Sequence, residues 1–165
     1  MPILRFRIVL ALFIVCLVAS GVTAFPLLWE LRLLTGMVGL GDLTTTSGLS
    51  GIAYWIVTVR LGLEEMYAAH PWIAYGTDWL AFGHIVIALF FVPAWLRPQT
   101  SRPTLVVGMI ACAGVIPLAL ICGPLRGIPF YWRLIDSSFG VFGVLPLVYC
   151  WRLVGKMEGA RTLGG

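Results

Sequence analysis

The run from Ile8 to Trp29 holds 22 residues and no charged side chain. A helix of about 20 apolar residues crosses the hydrocarbon of a bilayer. In that medium a single segment pairs all of its backbone N–H and C=O groups only as a helix. Three more runs repeat the pattern. Trp79 to Leu96 gives 18 residues between Asp78 and Arg97, and Pro103 to Leu125 gives 23 between Arg102 and Arg126. Leu134 to Trp151 gives 18, closed by Arg152 and holding one charge, Asp136. Hydrophobic residues make up 60% of the chain and charged ones 11%, against about 25% charged in a soluble domain. A water-soluble fold and a disordered chain are both excluded, the first by too few charges and the second by too many apolar residues. The expected fold is all-α: one transmembrane domain over residues 1–165, a four-helix bundle with spans at about 8–29, 79–96, 103–125 and 134–151.

The first span has a rival reading. Arg5 and Arg7 precede the apolar stretch Ile8 to Val18, and Val22-Thr23-Ala24 resembles the small-residue site of a signal peptide, with residues 1–24 removed. The apolar run continues through Phe25-Pro26-Leu27-Leu28-Trp29, however. That continuation suits an uncleaved anchor ending at an aromatic belt.

Loop charges orient the spans. Arg5, Arg7, Arg97, Arg102, Arg152, Lys156 and Arg161 fall on one side, and Arg32, Arg60, Arg126 and Arg133 on the other. Excess basic charge stays in the cytoplasm, so both termini are expected there. Glu30, Asp42, Glu64, Glu65, Asp78 and Asp136 then lie at the outer face, leaving only Glu158 inside. The net charge of +4 therefore informs topology. Its basic residues form no stripe with interleaved aromatics, so no nucleic-acid partner is expected. The expected partners are membrane lipids, and a membrane protein or a second copy of the chain.

The long outer loop, Glu30 to Asp78, contains structure of its own. Gly41-Asp42 to Ser47-Gly48 is rich in turn formers. From about 51 to 70, Ile52, Ile56, Val59, Leu63 and Met66 recur at three- and four-residue steps. The spacing predicts an extracytoplasmic amphipathic helix between spans 1 and 2, with Arg60, Glu64 and Glu65 off the apolar stripe. Each span carries at least one internal proline: Pro26, Pro93, Pro117 and Pro146. The cysteines Cys16, Cys112, Cys122 and Cys150 all lie in apolar runs without a Cys-x-x-Cys, which reads as buried thiols at helix interfaces.

His84 is the residue of most chemical interest. It lies inside the second span between Ala81 and Ala88, a strip of small residues suited to face another helix. Asp78 and Asp136 open the second and fourth spans, where capping a helix start explains them without catalysis. Arg126 sits in Gly123-Pro124-Leu125-Arg126-Gly127-Ile128-Pro129, a stiff turn that fixes its position, with Asp78 or Asp136 as its expected partner. Asp78, His84, Arg126, Arg133 and Asp136 are all expected in the outer half of the bundle. His84, Asp78 and Asp136 are the catalytic candidates; Arg126, Arg133 and His70 are the ligand-binding candidates. The inner connectors are short, and no phosphate loop, metal-binding His-Glu-x-x-His or nucleophile elbow is present.

Three stretches, Ala74 to Ala88 with its Gly76-Thr77-Asp78-Trp79, Ile116 to Phe130, and Leu134 to Gly143, resemble a family of small bacterial four-span membrane proteins with no assigned activity. The resemblance covers about half the chain and implies a bacterial inner-membrane location. It transfers no catalytic residue. Three functions are open on the residues alone. The first is a non-enzymatic subunit or ligand-binding module with a polar pocket at its outer face. The second is a small enzyme acting on a lipid-like substrate, with His84 as acid and base. The third is a haem or chlorin carrier with His84 as the axial ligand; apart from that reading no cofactor or metal is expected.

The topology is directly testable. A reporter that is active only in the cytoplasm, fused after Gly165, should be active, and silence of a well-expressed fusion would contradict the orientation. Intact-mass measurement of the purified protein should show residues 1–24 retained.

Overall fold

The computed structural model describes residues 2–162, with side chains over 2–159, so Arg161 lies outside the described side chains. The helices are α1 (Pro2–Ala24), α2 (Leu27–Met37), α3 (Gly51–Ala69), α4 (Ala74–Leu96), α5 (Arg102–Leu125) and α6 (Phe130–Thr162). Two 3-10 turns, Pro71–Ile73 and Pro98–Thr100, lead into α4 and α5. No strand occurs among the described residues. Four helices, α1, α4, α5 and α6, are long and apolar enough to cross a membrane. The helix α3, which carries Arg60, Glu64 and Glu65, is not among them.

The helix ends depart from the ends of the uncharged runs, for backbone reasons. The first helix stops at Ala24 rather than reaching Trp29. Pro26 has no N–H to donate and disfavours a helical residue before it. Phe25 and Pro26 therefore form a turn, and Leu27 opens a separate helix. Pro26 is thus not internal to a helix, whereas α5 holds two prolines, Pro117 and Pro124. Both acidic residues expected as caps lie inside helices instead. The Pro71–Ile73 turn, with Ile73 N–H bonded to the His70 carbonyl at 3.0 Å, runs straight into α4 and encloses Asp78. In the same way Trp132 and Arg133 both donate to the Pro129 carbonyl at 3.1 Å, so α6 is under way well before Asp136. That helix continues past Arg152 to Thr162.

The chain divides into two compact units: Leu17–Val86, and the residues up to Cys16 together with those from Ile87 onward. In the latter, parts of four helices pack side by side. Gly108 meets Leu147, Cys112 meets Gly140 and Gly143, and Gly123 meets Arg133, so α5 and α6 run antiparallel. Glycine makes this approach possible. A Cβ at Gly140 collides with the Cys112 carbonyl, and one at Gly108 stands 2.6 Å from the Phe91 ring of α4. Phe13 of α1 meets Phe91 edge-on, with ring centroids 5.0 Å apart. The fully buried side chains Phe6, Leu10, Leu105, Leu147, Cys150 and Val154 gather at one end. There the Trp95 indole donates to the Arg7 carbonyl at 2.9 Å, and Arg7 donates to the Leu96 carbonyl at 3.3 Å. Beside them Arg102 forms a two-pronged pair with Glu158 at 3.0 and 2.6 Å, its guanidinium 5.1 Å from the centre of the Trp151 ring. The start of α1 and the later part of α6 thus share an end, since Cys150 contacts the Phe6 carbonyl. The cysteines are not uniformly buried: Cys150 is, Cys112 is half-buried against α6, and Cys16 and Cys122 face outward.

The unit Leu17–Val86 is held differently. Gly21 of α1 lies against α4, where an added Cβ would stand 2.7 Å from the Ala81 carbonyl. The helix α2 closes with Gly39 at φ 74° and the Leu40 N–H on the Thr35 carbonyl at 2.8 Å, a left-handed helix stop. Of the expected apolar stripe of α3, Ile56, Val59, Leu63 and Met66 are half-buried. Ile52 is 55% exposed, while the buried residues are Val57 and Arg60, the latter only 5% exposed. A charge overrides periodicity here because it is paired. Arg60 donates to the Leu43 carbonyl and reaches Glu64 at 3.4 Å, and Arg32 of α2 donates to the same carboxylate at 2.7 Å. The Arg32 hydrogen bond is the chief cause that holds the Glu64 carboxyl below its ordinary value; partial burial opposes it, and the charges of Arg60 and Arg32 add to it.

Two predictions follow from these contacts. Gly140→Ala should cost about 1–3 kcal/mol, because a backbone carbonyl has to move. Gly62→Ala, whose Cβ meets nothing within 4 Å, should be neutral or stabilise the helix by up to about 1 kcal/mol. Thermal unfolding in detergent measures both. For Glu64, a carboxyl lowered in the folded state stabilises above its ordinary pKa of 4.5 and loses that effect as pH falls through the lower folded value. Acid should therefore loosen the link between Leu43, α2 and α3 by about 1 kcal/mol or less, because Arg32 is exposed. Hydrogen exchange of α3 amides, corrected for intrinsic rates, should show this loss, and Glu64→Gln should abolish its pH dependence.

Candidate functional site

The turn between α5 and α6 is built by helix termination. Gly127 takes φ 69°, the Ile128 N–H bonds the Gly123 carbonyl at 2.9 Å, and the Gly127 N–H bonds the Pro124 carbonyl at 3.1 Å. This is the paired closure that a glycine one position beyond the helix cap permits. Arg126 is the cap residue, so its side chain leaves α5 where the helix ends.

Next to this turn lies an open hollow of about 300 Å³. Leu118, Cys122 and Ile128 supply apolar wall, and Arg126 and Asp136 bring the charges. Neither of these charged side chains is in an ion pair among the described residues. Arg126, whose expected partner was Asp78 or Asp136, lines this hollow together with Asp136 and without a direct bond to it. Arg133 is adjacent. Its aliphatic stem lies on Gly123 in the space a Cβ would need, and its guanidinium is 5.2 Å from the centre of the Phe130 ring. The Arg133 Nε is buried and has no hydrogen-bond partner among the described residues.

Asp78 lines a second hollow, of about 250 Å³, in the unit Leu17–Val86, with Phe25, Tyr75, Trp79 and Phe82. Tyr75, Asp78, Trp79 and Phe82 share one face of α4 because they lie three, four and seven residues apart. The Tyr75 and Trp79 rings meet edge-on at 6.0 Å, and Trp79 and Phe82 at 6.1 Å. The sequence reading found Asp78 but not its rings. The signal was present in that same spacing, and the helix simply began earlier than Asp78.

His84 lines neither hollow. Its Nδ1 bonds the Leu80 carbonyl of its own helix at 2.8 Å, and its Cβ lies 3.1 Å from where a Cβ on Gly21 would stand. Ala81 and Ala88 on either side of it are buried. Acid–base work requires a histidine beside a cavity and within reach of a second titratable group. Among the described residues the His84 side chain has one hydrogen bond, to its own helix. His70 is exposed at the end of α3, its backbone N–H on the Met66 carbonyl at 2.7 Å and its ring 6.0 Å from Trp72.

Comparison of the chain with protein-family models, with curated proteins and with solved structures returns no match.

Proposed function

We propose that this chain is a multi-pass protein of the bacterial inner membrane, with four spans and both termini in the cytoplasm. Its outer end binds an amphiphilic ligand, as a non-enzymatic subunit or binding module. The membrane part of the reading is supported by what the long helices turn outward. Phe90 and Phe139 are 69% and 68% exposed, and Leu12, Val107 and Ile121 also face out. Soluble monomers rarely carry continuous apolar surface of that kind. Aromatic spacing agrees. Tyr75 and Trp95 of α4 are about 30 Å apart along the helix, and Trp132 and Trp151 of α6 about 28 Å, at 1.5 Å per residue. Both separations match the hydrocarbon thickness that interfacial aromatics bracket. The helix α3 rides on the outer membrane surface, with the exposed Ile52 toward lipid. Bacterial origin rests on the family resemblance, and orientation on the basic residues of the loops.

The binding part rests on one observation: the hollow between α5 and α6, apolar along its wall and charged by Arg126 and Asp136. An apolar cleft with a few convergent polar groups is the general form of a ligand site. A membrane lipid fits its chemistry, with an acyl chain along Leu118, Cys122 and Ile128 and a charged head at Arg126 and Asp136.

Native mass spectrometry of the purified protein should show retained lipid. The double variant Arg126→Gln, Asp136→Asn should lose most of it, whereas His84→Ala should keep it. An unchanged lipid profile in the double variant would overturn the binding reading, and loss of lipid in His84→Ala alone would return attention to the histidine.

A further inference from the structure

We infer that the Asp78 hollow on α4 is a binding site for an alkylammonium cation. This goes beyond the lipid site proposed between α5 and α6 and does not depend on it. Four aromatic side chains, Phe25, Tyr75, Trp79 and Phe82, line the hollow with a single carboxylate, and no basic side chain lines the space. Aromatic faces are electron-rich, and rings set edge-on to one another, as Tyr75, Trp79 and Phe82 are, present faces in different directions around a corner. Asp78 is half-buried there and makes no ion pair among the described residues.

An interfacial aromatic belt explains Tyr75 and Trp79 alone, since such rings gather where lipid heads meet hydrocarbon. It does not explain an unpaired carboxylate on the same face of the helix. A carboxylate held among ring faces favours a positive charge, and the rings select its kind. A hard metal ion requires six or more oxygen ligands, and this hollow brings one carboxylate. A substituted ammonium carries its charge on weakly hydrated methyl or methylene groups, which lie against ring faces while the carboxylate balances the charge. Trp79, the best such ring by chemistry, is 58% exposed and so remains accessible. Phe25 closes the hollow from the turn made by Pro26, which ties the site to the break between α1 and α2.

The same chemistry has two sources, the head of a zwitterionic lipid and a free small cation. Calorimetric titration of the full-length protein in dodecyl maltoside with tetramethylammonium chloride, with sodium chloride as the blank, reads the second. Saturable binding is expected, weakened at least about tenfold by Asp78→Asn and by Trp79→Leu. It should be retained in Trp79→Phe, and in Arg126→Gln, which reports only on the other hollow. For the lipid source, nanodiscs mixing phosphatidylethanolamine or phosphatidylcholine with phosphatidylglycerol are released into native mass spectrometry. Enrichment of the ammonium-headed lipid on the wild type and its loss in Asp78→Asn is the expected result. Far-UV circular dichroism verifies folding, and Tyr75→Leu carries the same test if an Asp78 variant does not fold. Either response, lost with Asp78 or Trp79, supports the site and identifies the source. Absence of both, or a response that Asp78→Asn leaves unchanged, overturns it.

Discussion

Close approach of α5 and α6 at glycine carries the larger unit. Gly140 brings α6 against the Cys112 carbonyl, and Gly108 lets Phe91 and Leu147 fill the space of its missing side chain. Helices whose outward faces are apolar gain little from the hydrophobic effect when their surroundings are hydrocarbon as well. Their association then depends on shape, and small residues let two backbones come near enough for dispersion to act over a wide area. The same pair of helices positions the turn between them, for Gly123 lies under Arg133 and closes the last turn of α5 through Ile128. The hollow with Arg126 and Asp136 is a consequence of that closure.

Three ion pairs and two hollows account for part of the charge in the described residues. Arg102 and Glu158 meet in a two-pronged bond next to Trp151, and Arg32 and Arg60 share Glu64. Arg60 is the most deeply placed of these and its Nε has no hydrogen-bond partner among the described residues. A buried guanidinium is tolerable only because Leu43 and Glu64 receive its other nitrogens. Asp78 and Asp136, in contrast, each stand half-buried at an open hollow without a cation bonded to them. That difference between satisfied and unsatisfied charge separates the structural ionic groups from the candidate binding groups.

The two hollows also differ in chemistry. One combines an aliphatic wall with charges of both signs, and the other combines rings with a negative charge alone. His84, foremost among the ionisable residues in the sequence, contributes to neither. Its helix turns it toward Gly21, where its ring nitrogen satisfies a backbone carbonyl of its own helix. An ionisable residue inside an apolar helix is a functional hypothesis by default.

What the sequence determined by itself is the helical class and its four long apolar helices, because uncharged runs of about 20 residues leave the backbone no other way to pair its polar groups. It also determined α3, through the three- and four-residue recurrence of apolar residues and the stop at His70-Pro71. Helix ends were less legible. A charged residue marks where an apolar run stops, whereas the helix stops where backbone bonding fails, at Pro26, or starts where proline has already set the dihedrals, before Asp78 and Asp136. Only the tertiary structure decided which face of α3 is buried, because the partners of Arg60 come from Leu43, a distant turn, and from Glu64. It alone decided that Arg126 and Asp136 line one hollow without a direct bond, and that Asp78 lines another with four rings. These placements follow from turn closure and side-chain pairing, and hydrophobic periodicity, a property of one helix at a time, carries no information about them.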